Sequence, residues 1–300
     1  MEFRNEKPLN ENPGSTERVL VRKREIVGQV WLNLPVWVQA LILGTIVYGI
    51  GTGIWLIIIS LIPIPFSFIT MIGVFWVYLK YFSGNWGPKS TIKVRRDNFR
   101  SGHLLREARN WSALAVITVV VGIQAVMVLT FRLVDFPAET FDLGYNFHLY
   151  PSWAVIGFIG CAALAAGIFE EVGFRGYMQV PLERRYGSTI AIGIVALLFT
   201  VSHFNQVWAP PAIVVLILAG VLFGVLAKAS NSLIPGMVAH VMTDVIAYSY
   251  WWSGLAGAHK VETIFITGVD LHFLLWLLIV VGSLGSFGVF ARKLRDLKSI

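Results

Sequence analysis

The sequence predicts an all-α integral membrane protein, a bundle of about eight transmembrane helices with both termini in the cytoplasm. Composition is the first reason: 56% of the 300 residues are hydrophobic and 14% are charged, whereas soluble proteins carry about 25% charged residues. The second reason is that the apolar runs are long and continuous rather than alternating, which favours helices over a transmembrane barrel. The third is that the basic residues gather on one side of the predicted membrane.

The transmembrane domain is predicted to occupy residues 34–292, because apolar runs of roughly 20 residues can each cross a bilayer. Polar and basic segments over 1–33 and 293–300 are expected to form a cytoplasmic arm and a cytoplasmic tail. The single cysteine, Cys161, falls within an apolar run and is expected to be a buried free thiol. The predicted spans are residues 35–60, 65–82, 112–134, 152–180, 189–206, 211–228, 233–252 and 270–291.

The basic residues predict how the bundle is oriented. With the N-terminus in the cytoplasm, all of the 24 Lys and Arg residues except Arg132 and Lys260 fall at or beyond the cytoplasmic ends of the spans. This asymmetry is the one that the positive-inside rule describes. The net charge of +7 is therefore explained by segments that flank the membrane, and we expect no nucleic-acid partner.

Segment 83–111 is rich in basic residues, and its second half is amphipathic. We expect this segment to lie on an anionic lipid surface, because clustered Lys and Arg next to a span are attracted to acidic headgroups. A docking site for a protein partner is the alternative. The amphipathic pattern consists of Leu104, Leu105, Arg106, Ala108, Arg109 and Trp111.

Two adjacent carboxylates, Glu170 and Glu171, lie inside the fourth predicted span, and Arg175 follows four residues after the second. Ionisable groups at membrane depth are costly, so they indicate a functional site. On a helix, Glu171 and Arg175 share a face and can form a structural ion pair. Glu170 is rotated by about 100° from Glu171, which leaves its carboxylate free for chemistry.

Two other spans carry polar pairs that can reach Glu170. The fifth contains Phe199 and His203, and the seventh contains His240 and Asp244, each pair four residues apart. A helix rises about 1.5 Å per residue, so Glu170 and His203 both lie roughly 20 Å from the loop between their spans. His240 and Asp244 lie about 12 and 18 Å into theirs. Four polar side chains are therefore expected to converge in a cavity that opens to the cytoplasm, with Phe199 in its wall.

Glu170 and His203 together suit general-base activation of a water molecule. His240 and Asp244 could stabilise the oxyanion that forms when this water attacks an acyl bond. The same four residues could instead supply nitrogen and oxygen ligands to zinc or another divalent ion. An aspartate donates to an oxyanion only when protonated, which strengthens the metal alternative. The cofactor is thus either none or a divalent metal.

These three motifs resemble those of the CPBP family of intramembrane proteases, which includes the CAAX prenyl proteases and is also called the Abi family. The family pattern is E-E-x-x-x-R, then F-x-x-x-H, then H-x-x-x-[N/B], and it is matched here between about residues 150 and 252. The resemblance implies an eight-helix intramembrane endopeptidase related to the Ras-converting enzyme. It also implies that Glu170 and His203 activate water and that His240 and Asp244 occupy oxyanion-stabilising positions, with Asp244 standing where well-characterised relatives carry Asn.

The resemblance leads us to expect a protein of a bacterial cell membrane that acts on a peptide or a membrane-protein substrate. Some members of the family act as membrane scaffolds, so a non-proteolytic scaffold or immunity protein is the alternative function. A transporter that uses Glu170 as a proton relay is disfavoured, because the sequence lacks paired broken helices. The sequence makes no prediction of the oligomeric state.

Overall fold

The structure is a computed structural model, and it describes residues 29–102, 106–135, 147–203, 210–253, 255–256 and 261–297. The regular elements within these residues are helices, accompanied by one isolated bridge between Ser101 and Ser232. The fourth predicted span is a single helical rod with a π-helical middle section. The first seven helices are α1 (Val36–Leu61), α2 (Phe66–Phe82), α3 (Ile92–Asn98), α4 (Arg106–Leu133), α5 (Ser152–Glu170), α6 (Gln179–Tyr186) and α7 (Ser188–Ser202).

The remaining helices complete the bundle, and π-helical sections extend two of the α-helices. One π-helix, Glu171–Met178, joins α5 to α6, and the other, Tyr248–Trp252, continues α9. Short 3-10 turns occupy Lys89–Thr91 and Phe147–Leu149. The last four helices are α8 (Pro210–Ser230), α9 (Ile234–Ala247), α10 (Ile264–Thr267) and α11 (Leu271–Asp296).

Each predicted span overlaps a helix, although residues 204–206 of the fifth lie outside the described residues, and five helical segments are long and apolar enough to cross a membrane. These properties confirm the all-α class and fit an integral membrane protein. The helices Phe66–Phe82 and Ser188–Ser202 are apolar but shorter, so the count of eight crossings and the orientation of the termini stay predictions. Residues 1–28 and 298–300, which contain most of the predicted arm and the end of the predicted tail, lie outside the described residues, as does Lys260. The five long apolar segments are Val36–Leu61, Arg106–Leu133, Ser152–Tyr186, Ala212–Ser230 and Leu271–Asp296.

The fourth span was predicted too short. It was expected to end near residue 180, but the helix continues to Tyr186, and only Gly187 separates it from α7. The charged residues near its end resemble a loop in sequence, yet Val180 and Leu182 are buried and keep the helix against its neighbours. Gly187 has φ +83°, a conformation that glycine adopts without steric cost at a helix end. The hairpin is therefore tighter than the sequence indicated.

Hydrophobic packing surrounds the helical rod Ser152–Tyr186, which carries Glu170 and Glu171, on two sides. On one side α4, α8, α9 and α11 pack through Val119, Phe223, Ala239 and Phe287. On the other side α1 and α2 pack against α5. There a Cβ atom at Gly51 would lie 2.3 Å from the Phe169 ring, so this close approach requires a glycine.

At one end of the bundle, which we call the basic end, segment 83–102 is fastened to α2, to α6 and to the turn between α8 and α9. Arg95 is buried and donates hydrogen bonds to the carbonyl groups of Tyr81 and Trp86. Arg100 lies 2.6 Å from Glu183 in α6. The backbone N–H of Gly102 donates to the carbonyl of Asn231, between α8 and α9, at 3.1 Å. Two of the basic side chains in this segment thus hold the protein together instead of facing lipid.

The contact of segment 83–111 with an anionic lipid surface, expected from its charge and its amphipathic pattern, stays a prediction. Residues 106–111 are the first turns of the long helix α4. Their apolar side faces the protein, because Ala108 is buried and the ring of Trp111 lies 5.7 Å from that of Phe290 in α11. Leu104 and Leu105 lie outside the described residues.

At the opposite end, Arg132 closes α4 onto the start of α11. Its guanidinium donates to Thr267 at 2.6 Å, to Asp270 at 2.9 Å, and contacts Nδ1 of His272 at 3.0 Å. Asp270 also caps α11, since its other oxygen accepts the backbone N–H of Phe273 at 2.8 Å. Arg132, one of two basic residues on the predicted outer side, therefore has a structural role.

This contact makes a prediction about acid stability. The N–H of Phe273 and the Arg132 guanidinium lower the pKa of Asp270 below its ordinary value of about 4. A lowered folded-state pKa means that the carboxylate stabilises the fold above about pH 4 and that this contribution disappears as the pH falls through the lowered pKa. Asp270→Asn should therefore reduce Tm at pH 7, and its difference from wild type should shrink below pH 4. Thermal unfolding in detergent measures this, and a difference that stays constant from pH 7 to pH 3 would contradict it.

Candidate active site

The paired carboxylates lie at the junction between two kinds of helix. Glu170 is the last residue of α5, and Glu171 is the first residue of the π-helix Glu171–Met178. Such π-helical sections are rare and occur often at functional sites, because the extra residue per turn costs regular hydrogen bonding. All eight residues of the section are buried. A regular α-helix was expected here, so the π-helical section was missed.

The expected pair between Glu171 and Arg175 is present. Arg175 Nη1 lies 3.0 Å from Glu171 Oε1, and both side chains are fully buried. The guanidinium lies over the ring of Phe199, 4.4 Å from its centroid, and 5.3 Å from that of Phe223. Arginine favours such stacking on aromatic faces. Phe199 therefore serves as a platform for Arg175 in addition to being the predicted wall of the site.

Glu171 has a second partner that the sequence analysis did not predict. His240 Nδ1 lies 3.1 Å from the same Oε1 atom, and because a carboxylate only accepts, Nδ1 must carry the proton and donate it. The His240 ring stacks on Phe223, with 4.7 Å between centroids and 18° between planes. Gly236, one turn earlier in α9, makes the approach sterically feasible, since a Cβ atom there would lie 2.8 Å from Glu171 Oε2. That glycine, four residues before the histidine, was the available sequence signal.

His203 is fixed in a similar manner. It ends α7, and its Nδ1 lies 2.8 Å from the carbonyl oxygen of Phe199. A carbonyl oxygen only accepts, so this nitrogen also carries a proton. The Oγ of Ser202 lies 3.3 Å from the same nitrogen and donates to that carbonyl at 2.7 Å. Both histidines thus turn Nε2 towards the other polar residues of the site.

The four predicted site residues do come together. Glu170 Oε2 lies 3.8 Å from His203 Nε2 and 3.9 Å from His240 Nε2, and Asp244 Oδ2 lies 3.7 Å from His240 Nε2. These distances exceed those of direct hydrogen bonds. Glu170 Oε2 is buried and has no hydrogen-bond partner. A buried carboxylate oxygen of this kind needs a polar partner such as a water molecule or a substrate.

Access to the four side chains is uneven. The side chains of His203 and Asp244 are each 20% exposed, whereas those of Glu170 and His240 are 10% and 6% exposed. A substrate would therefore approach past His203 and Asp244 and meet Glu170 beneath them. The direction in which the site opens, predicted to be cytoplasmic, is left as a prediction.

The metal alternative gains no support from the positions of these residues. In the part of the chain that the structure describes, no group of three or more His, Cys, Asp or Glu side chains is arranged to hold a metal ion. Tetrahedral zinc holds its nitrogen and oxygen ligands at about 2.0–2.2 Å, which places neighbouring donor atoms closer together than the 3.7–3.9 Å seen here.

A second buried polar cluster supports the same rod from the basic end. Arg100 Nε donates to the carbonyl of Arg175 at 3.1 Å, within the π-helix. Gln179 donates to Glu183 at 2.8 Å and to the carbonyl of Gly224 at 3.0 Å. The sequence analysis missed these residues, although Gln179 and Glu183 are spaced four apart. They hold the segment that carries Glu171 and Arg175 against α8.

A comparison with known proteins identifies a family for the part of the chain that carries these residues. Residues 151–246 match the family model described as Type II CAAX prenyl endopeptidase Rce1-like. The matched range begins just before α5 and includes Glu170, His203, His240 and Asp244. The match confirms the resemblance drawn from the three motifs. No curated protein and no solved structure matches the chain significantly.

Proposed function

We infer that this chain, whose residues 151–246 match the Rce1-like family model of CAAX endopeptidases, hydrolyses a peptide bond of a membrane-associated substrate at the Glu170 site. One observation carries the assignment of the site: Glu170 Oε2 is buried without a hydrogen-bond partner and faces Nε2 of two histidines, each held through Nδ1. That arrangement suits a carboxylate base that binds a water molecule and accepts a proton from it.

In the proposed reaction, a water molecule sits between Glu170 Oε2 and His203 Nε2, which are 3.8 Å apart. Glu170 takes one proton from the water as its oxygen attacks the carbonyl carbon of the substrate. His203 accepts the second O–H as a hydrogen bond and orients the water. Glu170 then returns the proton to the departing amine, so that one water is consumed and the C–N bond breaks.

His240 is proposed to stabilise the oxyanion of the tetrahedral intermediate. Its Nδ1 proton is committed to Glu171, so donation from Nε2 requires the imidazolium form. Three carboxylates offset that positive charge: Glu171 at 3.1 Å, Asp244 at 3.7 Å and Glu170 at 3.9 Å. A charged donor aimed at the developing oxyanion can supply several kcal/mol to the transition state.

Glu171 and Arg175 are positioning residues in this proposal. Glu171 determines which ring nitrogen of His240 faces the substrate, and Arg175 keeps the Glu171 carboxylate in place. This role is broader than the structural pair expected from their spacing, because the pair also reaches α9. Asp244 is proposed to balance charge beside His240 or, when protonated, to donate to the oxyanion.

We further propose that the basic end faces the cytoplasm of a bacterial cell. The support is the concentration of basic residues there, including Arg184, Arg185 and Lys228, which the positive-inside rule assigns to the cytoplasmic side. Arg132, at the opposite end, is held by Asp270.

The chemistry can be tested with purified full-length protein in lipid nanodiscs and membrane-anchored peptides, with products identified by mass spectrometry. Cleavage should persist in a strong chelator. Asp244→Asn should retain activity within about tenfold, because an amide can donate to an oxyanion, whereas Asp244→Leu should lower kcat about 10²-fold. Activity that disappears with chelator and returns with zinc, together with an inactive Asp244→Asn variant, would favour the metal alternative.

A further inference from the structure

A cavity of about 350 Å³ lies at the basic end, where segment 83–102 meets α2 and α9. None of Glu170, His203, His240 or Asp244 lines it. Its volume is within the range of about 300–1,000 Å³ that small-molecule sites occupy. Its lining includes Trp76, Lys80, Phe99, Ser232, Ile234 and Met237.

The cavity combines an apolar wall with uncompensated positive charge. Its lining contains two basic residues, Lys80 and Arg100, and no acidic residue. Arg100 is already neutralised by Glu183 at 2.6 Å. The Lys80 ammonium lies over the ring of Trp76, 5.9 Å from its centroid, and no carboxylate of the described residues pairs with it. A ligand that matches this lining has an anionic group and an apolar body.

The position of the cavity favours a lipid over a soluble ligand. Trp76 and Ile234, on the rim of the cavity, are each 64% exposed. They lie on apolar helices, and the exposed sides of such helices contact lipid hydrocarbon chains in a membrane protein. Tryptophan and lysine near the end of a span are typical of the headgroup level of a bilayer. Basic pockets between helices at such a level bind the headgroups of anionic lipids.

We propose that this cavity binds one anionic phospholipid of the surrounding bilayer. Its phosphate is placed beside the Lys80 ammonium, and one acyl chain lies along Trp76, Phe99 and Ile234. Ser83 and Asn85, which also line the cavity, offer polar groups to the glycerol region. The sequence predicted that the whole of segment 83–111 lies on anionic lipid. This proposal instead places one bound lipid molecule in a single cavity beside that segment.

Occupancy of this site would stabilise the contact between segment 83–102 and α9. Leu233 and Met237 belong to the cavity wall and lie two turns and one turn before His240. Arg100, on the same wall, donates to the carbonyl of Arg175. Because the expected effect is on stability, the proposal can be tested without any assay of peptide hydrolysis.

The test is thermal unfolding of the delipidated full chain in neutral detergent, supplemented with phosphatidylcholine or with phosphatidylglycerol. Phosphatidylglycerol should raise Tm of wild type by roughly 3 °C or more, and phosphatidylcholine should raise it by less than half as much. Lys80→Gln should lose most of the phosphatidylglycerol response while keeping the wild-type Tm in phosphatidylcholine. Lys89→Gln is the matched control, since Lys89 is an exposed lysine of segment 83–102 that does not line the cavity. This variant should respond to the two lipids as wild type does.

Three outcomes would overturn the proposal. Equal responses of Lys80→Gln and Lys89→Gln would show that surface charge alone attracts the lipid. Equal shifts with the two lipids would show that the headgroup charge is irrelevant. A shift of the same size with free glycerol phosphate would show that a soluble phosphate, and not a lipid, occupies the site.

Discussion

Replacing Glu170 with glutamine is expected to lower kcat for peptide hydrolysis by about 10²–10⁴-fold, the contribution usual for a general base. Glutamine has nearly the same shape as glutamate, so the packing around α5 should persist, but its amide cannot take a proton from water. KM should change little, because Glu170 Oε2 lies beneath the more exposed His203 and Asp244. Steady-state kinetics in nanodiscs, combined with a thermal unfolding curve, measure both effects.

The matched control is Glu107→Gln, which changes an exposed glutamate in the first turn of α4 and should leave kcat and KM at wild-type values. Hydrolysis by Glu170→Gln at the wild-type rate would remove Glu170 from the mechanism. In cells, a variant that has lost hydrolysis but retains the cellular role would favour the scaffold or immunity alternative.

Arg175→Met is expected to destabilise the protein by about 3–5 kcal/mol, because it leaves the Glu171 carboxylate buried without its cation. Both side chains are fully buried and 3.0 Å apart. Unfolding in mixed detergent and dodecyl sulfate measures the loss. The exposed residue Arg109 in α4 provides a control, since Arg109→Met should change stability by no more than about 0.5 kcal/mol.

The double variant Glu171→Gln/Arg175→Met distinguishes a buried ion pair from simple loss of packing. It removes both charges, so it should be more stable than Arg175→Met alone, even though it contains one more substitution. Its hydrolytic activity should still be strongly reduced, because a neutral glutamine at position 171 no longer offsets the positive charge of the His240 imidazolium. If the double variant instead lost as much stability as the two single variants together, the ion-pair explanation would be contradicted.

The helices and the convergence of the site were predictable because they depend on local signals. Long apolar runs identify helices directly, and the spacing of Glu171 and Arg175 predicts their pair. Counting the helical rise placed Glu170 and His203 at similar depth even though the turn was expected several residues too early. The error had little effect because Gly187 is 17 residues from Glu170 and 16 from His203, so both side chains still lie at similar distances from the turn.

The contact between Glu171 and His240 could not be predicted in the same way. It depends on how α5 and α9 are rotated about their own axes, and helices that are apolar on all sides carry little periodic signal of that rotation. The π-helix was missed for a related reason, since no residue type specifies an extra residue in a turn. The packing of Trp111 on Phe290 was missed because an apolar side that meets lipid is indistinguishable in sequence from one that packs on protein.

The Nδ1 contacts of the two histidines limit where protons can travel. In each ring the nitrogen remote from Glu170 holds its proton against an acceptor, the Phe199 carbonyl for His203 and the Glu171 carboxylate for His240. The Phe199 carbonyl cannot receive a transferred proton, and Glu171 is already paired with Arg175. In the proposed mechanism, neither imidazole can therefore pass a proton from the reacting water onward through its Nδ1 atom. If Glu170 is the base, the proton that it takes from water is the one it returns to the departing amine.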